Sequence, residues 1–398
     1  MTQNVLHARN ESADPMTAAY PDLAEAHAPA WRADDEWLEC VQVRDETHDV
    51  RSFVLRPVQP RSFRYRPGQF ITLGLDIDGE RVNRCYTLCS SPTRPDTVSI
   101  TVKRVPGGRV SNWLHEHMRP GRRLSANGPA GAFCFPPGPV QVPARGQLYL
   151  SGGSGITPLM SMSRAWADLG LDADVQFIHA ARTPQDIVFA DELALLARTL
   201  PRWRASFVCE GRGSAPGYGG LLGRLSLPLL RSQVPDFLER EVWCCGPGPF
   251  MAAVRAMLAE AGFDMARYHE ESFSFETLAA DPAGVAQAAA AAHSATDSPA
   301  GSVAHSAGMP ARRFAITLKT RGERFECGAD ETILKAAQRA GVRWPFSCAS
   351  GICGTCRTRK LAGEIDMNQG GGLRPREVAQ GWILPCCSKP LGDLELDR

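Results

Sequence analysis

The sequence predicts three folded domains: an antiparallel β-barrel, an α/β domain built on a parallel sheet, and a smaller C-terminal domain. Short segments of alternating polarity, separated by Pro- and Gly-rich turns, fill the first part of the chain. Strands then alternate with helices, and an Ala-, Gly-, Ser- and Pro-rich stretch precedes the last segment. The length of 398 residues agrees, because a domain takes about 150 residues on average.

Composition and charge exclude several classes of protein. Lys and Arg number 44 against 43 Asp and Glu, so the chain lacks the basic surplus of a nucleic-acid-binding protein. No segment approaches the roughly 20 consecutive apolar residues that span a bilayer, and the N-terminus has no apolar signal-peptide core. We therefore predict a cytoplasmic protein without membrane insertion. There the 13 cysteines stay reduced, and clustered thiols more often bind metal or do redox chemistry.

Changes in composition set the predicted domain boundaries. The first residues are polar without periodicity, which is typical of a disordered arm. The Ala-rich stretch lacks helix caps and an apolar face, so we interpret it as a tether with a random-coil span of roughly 30 Å. The predicted units are an arm at 1–35, the barrel at 36–144, the α/β domain at 145–275, a linker at 276–312 and the C-terminal domain at 313–398.

Local patterns place the main elements within these units. The barrel is predicted to contain strands near 52–55, 69–75 and 97–102 and a helix that opens at 107–114. The α/β domain is predicted to contain strands at 147–150, 174–179, 205–209 and 241–245 and helices at 159–169, 189–196 and 250–261. In the C-terminal domain a strand at 314–318 precedes a helix at 331–337, capped by Asp330.

Four cysteines near the C-terminus have the spacing of an iron–sulfur site. Cys348, Cys353 and Cys356 form a C-x4-C-x2-C run, and Cys386 lies downstream. This is the plant-type pattern for a [2Fe–2S] cluster held by four thiolates. Glycines between the ligands let backbone amides approach the sulfurs as donors, which tunes the potential. We therefore predict that these four cysteines are the metal ligands.

Structural zinc and inert buried thiols are the alternatives for this cluster of cysteines. Structural zinc prefers two short C-x2-C pairs, and only one such pair occurs here. Cys387 competes with Cys386 for the fourth position, but the context at 383–390 resembles the end of plant-type ferredoxins and favours Cys386. Seven other cysteines are predicted to be small buried hydrophobes: Cys40, Cys85, Cys89, Cys134, Cys209, Cys244 and Cys327.

Other motifs carry residue types suited to phosphate-bearing cofactors. The segment 107–114 opens a helix, whose N-terminus binds phosphate well. Arg84, Tyr86 and Thr87 precede it in the barrel, and by themselves an Arg and a Tyr on a strand are usually a surface salt bridge and a core aromatic. The glycine-rich segment 152–158 lies between a strand and a helix, which suits a nucleotide pyrophosphate. It is not a strict G-x-G-x-x-G, so a βα turn without a ligand is its alternative. The C-G-P sequence that begins at Cys245, after a later strand, weighs against that alternative.

Together these motifs resemble the ferredoxin–NADP reductase superfamily, and the C-terminal domain resembles a plant-type ferredoxin of the β-grasp fold. The resemblance covers 37–398 and implies FAD, although some members bind FMN. It implies that Tyr86 packs on the flavin ring, that Cys245 lies beside the nicotinamide and that Glu271 approaches the flavin; these three are the predicted catalytic residues. The other implied cofactor-binding residues are Arg84, Thr87, Gly108, Val110, Ser111, Gly152, Gly153, Gly155, Thr157, Pro158, Gly246, Pro247 and Phe273.

The choice between NADH and NADPH depends on charges near the ends of two predicted strands. Arg182 and Arg212 could hold the 2′-phosphate of NADPH, or they are solvated loop charges. Glu210 lies close to Arg212 in sequence and could accept a hydrogen bond from a free 2′-hydroxyl. The sequence therefore favours NADH and leaves NADPH open.

Three redox sites in one chain predict an electron-transfer function. A nicotinamide delivers two electrons together and the cluster takes one, so a flavin between them connects the two. No facial-triad or Rieske ligand spacing occurs, which predicts a reductase component that serves a partner oxygenase. The domain order and 263–273 resemble reductases of Rieske-type glycine betaine and related quaternary-amine monooxygenases. The alternatives are a reductase of the same build for a hybrid-cluster protein or a di-iron hydroxylase, and a redox sensor.

Overall fold

The described part of the chain forms one large sheet in each predicted domain. A computed structural model describes residues 28–32, 37–136, 138–272, 312–342, 344, 351, 354, 356–370, 372–373 and 375–398. Most of the predicted arm and linker, together with Phe273, Cys348 and Cys353, lies outside these residues. Within the described ranges, no helix is both long and apolar enough to cross a membrane.

The first domain is an antiparallel barrel of six strands. They are β1 (Trp37–Thr47), β2 (Val50–Pro57), β3 (Phe70–Ile77), β4 (Glu80–Thr87), β5 (Val98–Lys103) and β6 (Arg123–Ala130), in the order β4-β3-β6-β1-β2-β5. A bridge between Leu88, just after β4, and Ile100 on β5 joins the two edges. The helix α1 (Arg109–His117) follows β5. Alternate side chains such as Phe53 and Leu55 point inward and are fully buried, as the period-2 pattern predicts.

Order begins earlier in the chain than we predicted. Trp31, which falls within the predicted arm at 1–35, is only 7% exposed. Its ring lies 5.2 Å from that of Phe63, and its Nε1 donates to the Gly128 carbonyl oxygen at 2.9 Å. A buried indole that also satisfies its N–H is enough to hold this short segment on the barrel.

The second domain is a parallel sheet with an apolar core on each face. Its strands are β7 (Gln147–Gly152), β8 (Val175–Ala181), β9 (Trp203–Cys209), β10 (Leu221–Leu222), β11 (Glu241–Gly246) and β12 (Tyr268–Ser272), in the order β10-β9-β8-β7-β11-β12. Its helices are α2 (Thr157–Asp168), α3 (Ala190–Thr199), α4 (Leu227–Gln233) and α5 (Gly248–Glu260). The strand order reverses between β7 and β11, and ligands of such sheets bind at this switch point.

The third domain has a five-stranded sheet and a two-stranded one. Its elements are β13 (Arg313–Leu318), β14 (Glu323–Gly328), α6 (Ile333–Arg339), β15 (Thr358–Ala362), β16 (Ile365–Met367), α7 (Pro375–Ala379), β17 (Trp382–Ile383), β18 (Ser388–Pro390) and β19 (Leu394–Asp397). The larger sheet has the order β14-β13-β19-β15-β17, and β16 pairs with β18. The predicted Asp330 cap is wrong. Thr332 caps α6, because its backbone is extended and its hydroxyl accepts from the Lys335 amide at 3.4 Å.

Candidate functional site

The predicted flavin residues of the barrel lie together on β4. Arg84 and Tyr86 are two residues apart, so their side chains leave the same face of the strand, and both are half-buried. Thr87 ends the strand and is buried. An arginine beside an aromatic ring on one face can hold a phosphate and pack on a planar group at the same time.

The predicted phosphate turn is built as a helix start. Gly108 caps α1, and Gly107 has a φ of 72°, a left-handed conformation that favours glycine. The Ser111 hydroxyl donates to the Gly108 carbonyl and accepts from the Val105 amide, both at 3.2 Å. This hydroxyl therefore fixes the turn, and the binding capacity lies in the first backbone amides of α1, which have no acceptor within the helix.

The glycine-rich turn and the C-G-P sequence meet at the switch point. A short 3₁₀ turn, Gly153–Ile156, joins the end of β7 to α2, which starts at Thr157 and Pro158. A Cβ on Gly155 would lie 2.3 Å from the Cys245 carbonyl oxygen, so only glycine fits against the end of β11. A Cβ on Gly152 would lie 3.1 Å from Pro247 Cδ. The two segments therefore form one surface, where a nucleotide pyrophosphate would meet the α2 N-terminus.

Thr87, Cys245 and Glu271 come from three strands in two domains and converge. Cys245 on β11 pairs in register with Glu271 on β12, and Cys245 is fully buried. Thr87 Oγ1 donates to Glu271 Oε2 at 3.5 Å. Burial raises the pKa of the Glu271 carboxyl to about 8, so this carboxyl is mostly neutral at pH 7. Burial also raises the pKa of the Cys245 thiol, which is therefore no thiolate nucleophile.

Three further buried polar side chains of the same domain were missed by the sequence predictions. Ser151 Oγ and His179 Nδ1 lie 2.7 Å apart, and burial lowers the pKa of His179 to about 4. Arg164, on α2, is also buried. A polar residue inside an apolar strand or helix is a sequence feature that could have drawn attention to each of them.

The described cysteines of the C-terminal domain fit a cluster. Cys356 and Cys386 are buried, and the Gly351 amide donates to Cys386 Sγ at 3.2 Å, as expected for a thiolate ligand. Cys387 is half-buried, and its thiol lies 3.5 Å from the Leu384 carbonyl oxygen. Gly351 has a φ of 73° and no room for a Cβ, so this loop conformation requires glycine. Cys348 and Cys353 lie outside the described residues.

The charged residues that bear on the choice between NADH and NADPH contact other groups of the protein. Arg182 contacts Asp49 and Asp186, each at 3.3 Å, and Arg212 donates to the Pro216 carbonyl at 3.0 Å. Arg224 Nε donates to Glu210 at 2.9 Å. The carboxylate of Glu210 is held at the end of β9, the position from which it could meet a ribose.

Comparison with protein-family models accounts for all three domains. An oxidoreductase FAD-binding domain matches 38–135, an oxidoreductase NAD-binding domain matches 149–256, and a 2Fe-2S iron-sulfur cluster binding domain matches 316–391. These matches confirm the predicted fold classes and three kinds of cofactor: FAD, a nicotinamide nucleotide and a [2Fe–2S] cluster. The preference for NADH over NADPH stays a prediction.

Known proteins match nearly the whole chain. A glycine betaine monooxygenase reductase subunit of Pseudomonas aeruginosa (strain UCBPP-PA14) is 42% identical over 92% of this chain and 96% of its own length. A stachydrine N-demethylase reductase subunit of Rhizobium meliloti is 38% identical over 90% and 95%. The structure of phthalate dioxygenase reductase, described as modular for electron transfer from pyridine nucleotides to [2Fe-2S], matches with a TM-score of 0.51 and 25% identity over 91% of this chain and 97% of that one. The chain therefore belongs to the family of oxidoreductases that join an FAD-binding, an NAD-binding and a [2Fe–2S] domain as the reductase subunits of monooxygenases.

Proposed function

We propose that this chain takes electrons from NADH and passes them to the oxygenase component of a Rieske-type monooxygenase that acts on glycine betaine or a related quaternary amine. The convergence of Thr87, Cys245 and Glu271 at the switch point supports electron uptake from NADH, because it brings the barrel against the nucleotide site. The names of the relatives support the choice of substrate. The cytoplasmic location stays part of this proposal.

Each residue of the proposed site has a separate role. Arg84 and the α1 N-terminus would hold the flavin phosphates, and Tyr86 would pack on the ring. A bound flavin accepts two electrons from a nicotinamide and gives them up singly, which lets NADH feed a one-electron cluster. Cys245 closes the site with an apolar, neutral thiol, and Glu271 keeps a proton on a carboxyl oxygen next to the Thr87 hydroxyl. These neutral groups exclude water without opposing the charge that the nicotinamide acquires.

The nicotinamide nucleotide of this proposal is NADH. Two arginines that could hold a 2′-phosphate are engaged with carboxylates or a carbonyl. Glu210, whose Oε1 accepts from Arg224 Nε, places a carboxylate at the end of β9. A carboxylate accepts from a ribose hydroxyl and repels a phosphate. The test compares kcat/KM for flavin reduction with both nucleotides. We expect NADH to be favoured at least about tenfold, and a preference for NADPH would overturn this part of the proposal.

Reconstitution tests the acceptor. The purified holoprotein is mixed with NADH and, in separate assays, with oxygenase components that act on glycine betaine or on stachydrine. The control acceptor is the oxygenase of a 1,2-phenylacetyl-CoA epoxidase, since an Escherichia coli relative that is 30% identical belongs to that enzyme. We expect NADH consumption to match demethylated product only with a quaternary-amine oxygenase. Coupling only to the epoxidase would favour the alternative of a reductase of the same build that serves another class of acceptor. Reduction of cytochrome c limited to one turnover would favour a redox sensor.

A further inference from the structure

Arg164 is a buried cation that joins the barrel to the α/β domain. It lies on α2 and is 8% exposed. Its Nε and Nη2 donate to the two carboxylate oxygens of Glu192 on α3, at 2.7 and 2.5 Å. Its Nη1 donates across the domain interface to the carbonyl oxygen of Cys89, at 2.5 Å. A buried guanidinium is costly unless its donors are paired, so this geometry fixes three segments to one another.

The aromatic ring of Phe189 also packs against the Arg164 guanidinium. The Arg164 guanidinium carbon lies 4.7 Å from the ring centroid. Phe189 precedes α3 with a φ of 59°, a left-handed conformation that a bulky residue adopts only when its surroundings hold it there. Arg164 is part of those surroundings, because it contacts both Phe189 and Glu192 at the start of α3.

A second contact from the same helix reaches the same barrel segment. Ser161 is three residues before Arg164, so both side chains leave one face of α2. The fully buried Ser161 hydroxyl donates to the Ser90 carbonyl oxygen at 2.7 Å. Two successive barrel carbonyls, those of Cys89 and Ser90, therefore accept from α2.

These contacts connect both halves of the proposed site through one helix. Cys89 is two residues after Thr87, the hydroxyl that faces Glu271. At its other end, α2 starts directly after the glycine-rich turn that packs on Cys245. We propose that Arg164 is a positioning residue: together with Ser161 it fixes the barrel segment after Thr87 against the nucleotide turn, and so sets how closely the nicotinamide approaches the flavin. This inference rests on the proposed nucleotide and flavin sites.

The kinetics of flavin reduction distinguish a positioning role of Arg164 from a purely structural one. Loss of positioning lowers the rate at saturating NADH, because hydride transfer is steep in distance, while the nucleotide turn keeps its own contacts.

Arg94 provides the matched control. It also crosses the same interface to α2, pairing with Asp168 at 2.6 Å, but its side chain is 71% exposed. An exposed pair of this kind contributes little.

The experiment uses the full-length, flavin- and cluster-loaded protein in anaerobic stopped-flow reduction by NADH. For Arg164→Gln we expect the limiting rate of flavin reduction to fall at least about tenfold, with the apparent Kd for NADH within about twofold of wild type. Arg164→Lys should recover part of the rate, because an ammonium can still reach one acceptor. Arg94→Gln should leave both constants within about twofold.

Hydrogen exchange gives a readout that needs no turnover. Backbone amides at 88–92 should exchange faster in Arg164→Gln than in wild type and not in Arg94→Gln. If Arg164→Gln fails to retain FAD, Ser161→Ala replaces it, with an expected fall of about threefold in the limiting rate. A wild-type limiting rate in a folded Arg164→Gln, or in Ser161→Ala used in its place, overturns the inference. Glu271→Ala, which removes the side chain that faces Thr87 and pairs in register with Cys245, distinguishes this inference from the proposed site: if it too keeps the wild-type rate, the proposed site itself is wrong.

Discussion

Glu271 is a carboxyl whose protonation links stability to pH. Its pKa is raised by burial from an ordinary value of 4.5 to about 8. The folded state therefore binds the proton more tightly than the unfolded state does. The stability that this group contributes is complete below pH 4.5 and is lost as the pH rises through 8.

Replacing Glu271 with Gln should remove this dependence. Between pH 5 and 8.5 we expect the free energy of unfolding of the wild type to fall by roughly 4 kcal/mol relative to Glu271→Gln. Chemical denaturation at saturating FAD at both pH values measures the difference. Parallel pH profiles for the two proteins would show that the Glu271 carboxyl is already ionised in the folded state.

His179 has the opposite linkage. Burial lowers the pKa of this imidazole from 6.5 to about 4, and within the described residues its Nε2 has no hydrogen-bond partner. Its contribution to stability is present above pH 6.5 and is lost as the pH falls through 4. His179→Gln should therefore lose less stability than wild type between pH 6.5 and 4.5. Urea unfolding at the two pH values measures the loss of stability. An equal loss in both proteins would contradict a buried, neutral imidazole at His179.

At the scale of elements, the turn between β7 and α2 depends on Gly155. A Cβ there would meet backbone atoms of Cys245 and Gly246 at 2.3 to 2.5 Å, and backbone cannot rotate away as a side chain can. Gly155→Ala should therefore displace the end of β11, lower the melting temperature by several degrees and weaken NADH binding at least about tenfold.

Gly248 is the control for that substitution. It starts α5 in the same region, and a Cβ on it would meet nothing within 4 Å. Gly248→Ala should keep or slightly raise the melting temperature, because alanine lowers the entropy of the unfolded chain. Equal melting temperatures for both variants, measured by scanning calorimetry, would show that the turn can relax.

The elements were mostly predictable from local patterns, and the differences have local causes. The predicted strand at 174–179 corresponds to β8 (Val175–Ala181), and the predicted helix at 250–261 to α5 (Gly248–Glu260). β12 (Tyr268–Ser272) was not predicted as a strand, because its sequence is mostly polar and its pairing with β11 is a long-range contact. Trp31 was assigned to the arm, since a single indole gives no periodicity.

At the scale of the whole molecule, the cluster and the flavin should be separable. Cys386→Ser should abolish the [2Fe–2S] absorption while NADH still reduces the flavin, because the cysteine lies in the core of the C-terminal domain. The neighbouring Cys387 is the control. Cys387→Ser should keep the cluster, since the Gly351 amide donates to the sulfur of Cys386. Visible absorption and electron paramagnetic resonance measure both variants. Loss of the cluster in Cys387→Ser alone would reverse the ligand assignment.

The sequence by itself determined the domain types and the cofactors, because each depends on motifs whose residues are close along the chain. The C-x4-C-x2-C spacing and the glycine-rich turn after a strand carry their chemistry in one short segment each. The meeting of Thr87 with Glu271, 184 residues apart, was decided by the tertiary structure. So was the contact of Arg164 with Cys89, because a buried arginine finds its acceptor only when two domains pack. Short-range spacing fixes which groups a loop can hold, whereas packing fixes which groups face each other across an interface.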